Sequence, residues 1–183
     1  MRLAVYKEYS VEIVENLANW YDEYRAGWLA HYQQTGQTDF QLYKRPKNEN
    51  SPGIPGINLA QSRLMFITTA GAYLSAGQEP FDAENDLGDY SIRQFSSNVT
   101  FDQLGYAHTH YDHAAVNADP QVLMPLTHLR HKVADGEIGE LAPSIISYCG
   151  YQPDLKQVVE TMIPQIVAVA LAEKVDGALV VPA

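Results

Sequence analysis

Residues 106–115 read YAHTHYDHAA, and His108, His110, Asp112 and His113 fall into the spacing H-x-H-x-D-H. Imidazoles and a carboxylate crowded in this way are the donor set with which metal-dependent hydrolases hold zinc and activate a bound water. Two metal shells of that type also need a later histidine and a bridging carboxylate. Downstream the chain offers only His128 and His131, in PLTHLRHKVADG close behind the cluster, and no histidine after residue 131. The expectation is a crevice lined by histidines that binds no metal tightly. A hydrolase centred on His108, His110 and His113 stays open as an alternative. The plainest reading is a solvated loop with one imidazole satisfied by Asp112.

The second chemical candidate is Cys149, the single cysteine of the chain, in SIISYCG. A lone cysteine after an apolar run is usually an inert buried side chain, and otherwise a redox centre. It allows no intrachain disulfide, and nothing in the cysteine usage points to secretion.

These residues need elements to position them. RLMFITTAG at 63–71 reads as a buried strand running into a turn, LGYAHTH at 104–110 as a shorter strand, and SIISYCG at 144–150 as a third. DLKQVVETMIPQIVAVALAEK at 154–174 reads as a helix that Pro164 kinks or splits, and DGALVVP at 176–182 as a strand. Strand, helix and strand in that order predict a parallel βαβ unit. The expected class is therefore α/β, a parallel or mostly parallel sheet with flanking helices and an N-terminal helical segment. Ligands gather at the carboxyl ends of such strands, which brings Thr68, Thr69, His108, His110 and Asp112 towards one crevice.

Ahead of this, residues 11–34 carry Val11, Val14, Leu17, Trp20, Tyr21, Tyr24 and Trp28 at three- and four-residue steps, with Ser10 as a cap. Its aromatic face suits core packing, or a second subunit in a homo-oligomer. Gly, Pro, Asn and Lys then dominate up to GIPG, so the division expected is a helix and linker over 1–57 and an α/β domain over 58–183.

With 22 acidic against 12 basic residues the formal charge is -10 at pH 7, which makes nucleic acid and anionic membrane poor partners. The N-terminus lacks the apolar core of a signal peptide, and IVAVALA at 166–172 is too short a run to span a bilayer. The cytoplasm is the expected location.

Several stretches taken together resemble the selenoprotein B component of the glycine, sarcosine, betaine and D-proline reductases. They are T-T-A-G followed by P-F-D, then G-D-x-S-x-R, then H-T-H-Y-D, then P-L-x-x-L with G-x-I-G, spread over residues 60–183. The resemblance implies reductive cleavage of a bond in a small, heteroatom-bearing substrate, in company with other reductase subunits. It implies a selenocysteine, or a cysteine in its place, after the strand VDGALVVPA, and so beyond Ala183. The corresponding expectation is a product that ends at a UGA codon. No other cofactor is implied. On this resemblance His108 or His110 is the proton donor to the departing group, with Asp112 fixing the imidazole. Thr68 and Thr69 donate hydrogen bonds near the substrate, and Asp89 and Arg93 either pair with each other or hold a substrate carboxylate. A subunit that presents the crevice without catalysing is the third alternative.

Overall fold

The computed structural model describes residues 13–50, 56–109 and 111–183, so His110, Ser10, Val11 and the first residues of the expected N-terminal helix lie outside the described residues. The chain divides into two compact units. One is Met1–Pro55 with Asp154–Lys156, and the other is Gly56–Pro153 with Gln157–Ala183.

The first unit is built on a helix in three parts: α1 (Leu17–Tyr24), a wide π turn (Arg25–Leu29) and α2 (Ala30–Thr35), closed by Gly36 at φ 68. Trp20, Tyr24, Trp28 and Tyr32 stack along one line, with ring centroids 5.1, 5.6 and 5.8 Å apart. A regular α-helix rotates a four-residue row by about 40° at each step, because it has 3.6 residues per turn. One wide turn, bonded i to i+5, unwinds that drift and keeps the four rings in register. Tyr43 lays its ring edge-on against three of them, and Trp20 Nε1 donates to Lys44 O at 2.8 Å.

The second unit holds a four-stranded sheet in the order β3–β5–β1–β6. Its strands are β1 (Arg63–Thr68), β3 (Arg93–Ser96), β5 (Glu140–Ser147) and β6 (Gly177–Val181). β5 and β6 run parallel to β1 on either side of it, and β3 is the antiparallel edge. The class is α/β with a mostly parallel sheet. β1 sits centrally because Leu64, Met65, Phe66 and Ile67 are apolar on both faces, as a doubly covered strand requires. The β1–β5 register slips between Leu64 and Phe66, opposite the segment of β5 that contains Pro143. A proline cannot donate to a ladder, and a bulge is where it is tolerated.

LGYAHTH yields only β4 (Leu104–Tyr106), which pairs antiparallel with β2 (Ala72–Leu74) in a separate ribbon. One face of the main sheet packs Phe66, Phe95 and Ile145 against Leu126 and Leu129 of a helix, Leu126–Ala134, that follows a shorter one, His113–Ala118. In chain order these are α4 (Leu126–Ala134) and α3 (His113–Ala118). The other face packs Met65, Ile67 and Ile146 under Ile166, Val169 and Ala170 of α5 (Ile163–Ala172). A π turn at Val158–Met162 precedes α5 and its Pro164. The missing proline N–H and the bulk of its ring forbid a regular turn there, and the wider turn accommodates both.

Candidate functional site

The carboxyl ends of β1, β5 and β6 meet at a small polar focus. Thr69, just after β1, donates its backbone N–H to Val181 O at 3.2 Å, and its Oγ1 accepts from Ala183 N at 2.7 Å. Gly150 follows β5, and a methyl group there would sit 3.2 Å from both Thr69 Oγ1 and His108 Nε2. His108 arrives from the loop after β4 and is only 6% exposed. The ends of β1, β4 and β5 thus place a hydroxyl, an imidazole nitrogen and a bare Cα around one point.

The loop that carries His108 is pinned from beneath. Ala107 N donates to Gly71 O at 3.0 Å, and Tyr111 Oη donates to Ala70 O at 3.1 Å. Gly71 has φ 64, and a Cβ there would lie 2.9 Å from His108 N, so only glycine gives the turn this close approach. His113 Nε2 is 2.7 Å from His108 O. A carbonyl only accepts, so the proton of His113 lies on Nε2. The Tyr111 ring stacks on His113 at 4.7 Å and tilts against His108 at 5.4 Å. Burial, with Tyr106 and Cys149 nearby, pushes the Tyr111 phenol up to about 12.

The other residues singled out from the sequence have different surroundings. Thr68 is fully buried, and its hydroxyl donates to Leu123 O and accepts from Ala70 N. Asp112 caps α3, its Oδ1 accepting from Ala114 N at 2.8 Å. Asp89 and Arg93 are joined through Ser91. Arg93 Nη1 donates to Ser91 Oγ at 2.7 Å, and Ser91 Oγ donates in turn to Asp89 Oδ1. The remaining Arg93 donors reach Glu79 O and Pro80 O, while the guanidinium lies 4.2 Å above the Phe81 ring. Burial pushes the Asp89 carboxyl up, but hydrogen bonds from Ser91 and Asp82 N and the charge of Arg93 outweigh it, and the net shift is downward. Asp89 also lines an open cavity of about 380 Å³ with Asp82, Tyr90, Gln157, Thr161 and Gln165.

Cys149 is buried beside Phe81, Ala83 and Ala107. Burial pushes its thiol up and Asp89 adds to this, against the N–H groups of Tyr151 and Gly150. Its burial and this upward shift both favour the thiol over the nucleophilic thiolate. Among the described residues no group of three His, Cys, Asp or Glu side chains converges as a metal site requires. Sequence reasoning passed over Gly150 and Tyr111. The glycine closing SIISYCG was the one local signal for the first, and the ring between two histidines in HTHYDH for the second.

An α/β unit with polar groups gathered at the carboxyl ends of parallel strands belongs to the class of folds that binds small ligands there. Residues 32–182 match the family model described as glycine/sarcosine/betaine reductase selenoprotein B, and the chain belongs to that family. Among curated proteins it is similar to the D-proline reductase subunit gamma of Acetoanaerobium sticklandii. The two are 28% identical over 121 residues, 66% of this chain and 48% of that subunit. The chain spans about half the length of this curated relative. No solved structure matches it.

Proposed function

We propose that this chain is the substrate-holding part of a selenoprotein B-like reductase component that cleaves a small amino-acid-like or betaine-like molecule. The observation that carries the reading is the convergence of His108 Nε2, Thr69 Oγ1 and the bare Cα of Gly150 at three strand ends. Imidazole is the side chain best matched to proton transfer near neutral pH. In this reading a selenolate or thiolate displaces the substrate's leaving group, the bonding pair departs with that group, and His108 supplies the proton it then needs. Thr69 orients the polar end of the substrate, and the missing side chain of Gly150 lets Thr69 and His108 come close enough to act together. Since Cys149 is a buried thiol, the selenocysteine or cysteine nucleophile comes from outside these 183 residues. The chain works in the cytoplasm with other reductase subunits, its residues 1–57 serving as an N-terminal helix and linker ahead of the α/β domain.

The test is an NMR titration of the 183-residue chain with glycine, sarcosine, betaine and D-proline in turn. At least one is expected to bind and to shift the His108 ring signals. In the assembled reductase, His108→Gln should lower kcat by about 10²–10⁴-fold, the usual worth of a positioned acid. Binding of none of the four, or full turnover by the variant, overturns the reading.

A further inference from the structure

The helical segment running into α5 is apolar on two sides. Its inner side, Ile166, Val169 and Ala170, lies on the sheet. Its outer side exposes Pro164, Val167, Ala168, Leu171 and Ala172, which recur at steps of three and four as a docking stripe does. Val167 is 46% exposed and Leu171 50%. Over Leu155–Ala172 the mean hydropathy is 1.3, and only 6% of the segment is buried. Beside it, β6 is an outer strand. Ala178 and Val180 pair in register with Met65 and Ile67, so they share the sheet face on which α5 lies, yet both are exposed. Helix stripe and strand face both lie on the α5 side of the sheet and supply exposed apolar surface there.

We propose that this patch is covered by the same patch of a second copy of this chain, with the two α5 helices antiparallel about a two-fold axis. The charges bordering the stripe select this occupant. Glu160 and Lys174 are both exposed, at opposite ends, and Val167 lies midway between them in sequence. A two-fold axis through Val167 therefore sets each copy's Glu160 against the other's Lys174, an isologous and self-complementary arrangement. Ala168 and Ala172 are small enough for the helices to approach to about 8–10 Å between axes. The stripe has only two large side chains and is flanked by charge of both signs, on a chain of net charge -10. These features suit a protein surface better than a lipid one, although the segment is long and apolar enough to cross a membrane by length and composition.

Sedimentation velocity over a concentration series tests this, with flotation on neutral phosphatidylcholine vesicles alongside. One helix stripe and one strand face make a contact at the small end of stable interfaces, so a dimer that dissociates on dilution is expected. Leu171→Glu should leave a folded monomer at every concentration. Lys174→Glu should weaken the dimer at least tenfold, and Glu160→Lys combined with Lys174→Glu should restore it. A wild-type chain that stays monomeric, a dimer indifferent to these substitutions, or a double variant no tighter than Lys174→Glu overturns the proposal. So does flotation with vesicles that Leu171→Glu abolishes.

Discussion

Gly150 matters for the side chain it lacks. A methyl group placed on it stands 3.2 Å from His108 Nε2 and from Thr69 Oγ1, closer than carbon normally comes to either. Gly150→Ala should therefore force the imidazole and the hydroxyl apart, at a cost of about 1 kcal/mol in a denaturant melt, the lower end of overpacking. The same variant should move the His108 ring resonances without any ligand. Unchanged resonances would mean that the two groups do not face the same space. Residue type and strand-end position were enough to single out Thr69 and His108 in the sequence. Gly150 was not legible, because the close approach that requires a glycine is made by neighbours that come from distant segments. Successive strand residues point to opposite faces, so Thr68, two after Phe66, is directed into the core, while Thr69 is left at the rim. The alternation carried that distinction, but it can be used only once the buried face is known.

Loops and caps set the next scale. The segment 79–93 has little regular structure, and Arg93 holds it together by donating to Glu79 O, Pro80 O and Ser91 Oγ while stacking on Phe81. Charged hydrogen bonds are each worth about 1.5–3 kcal/mol where they are shielded. This guanidinium is partly exposed, so Arg93→Gln should cost about 2 kcal/mol in total. It should also speed proteolytic cleavage within 79–93, measured on the folded chain. A melting midpoint and cleavage rate equal to those of the parent would show that the loop holds without it. The β1, β5 and β6 strands were legible as apolar runs, and the break in the last helix was legible at Pro164. β3 was not, since RQFS shows neither a long run nor a clear alternation, and it is recruited by the open edge of β5. β4 was foreseen as a strand, but its antiparallel partner β2 is three residues long and gives no periodic signal of its own.

Across the molecule, several protons are held by burial. Burial, with Asp154 adding and Arg45 opposing, pushes Tyr43 of the first unit up to about 12. In the second unit burial does the same for Tyr106 and Tyr111, and moves Tyr148 and Cys149 in the same direction. Unfolded, these groups ionise near the ordinary values of 10.0 for tyrosine and 9.0 for the thiol. In the folded chain they keep their protons beyond that point. Above the ordinary values the unfolded state binds fewer protons than the native state, so stability falls as pH rises. The contribution is complete below the unfolded values and is lost through the interval up to about 12. The growing negative charge of a chain already at -10 acts in the same direction. Denaturant midpoints should therefore stay level up to the thiol's ordinary value in the second unit and up to tyrosine's in the first, and then decline steeply. Tyrosinate absorbance of the folded chain should rise by less than its 12 tyrosines would give, with the remainder appearing together with unfolding. Replacing Tyr43, Tyr106 and Tyr111 with phenylalanine should flatten the decline. Midpoints that hold level through the tyrosine range, with all tyrosines titrating at once, would show that these phenols are in contact with water and that the packing around them is looser than described.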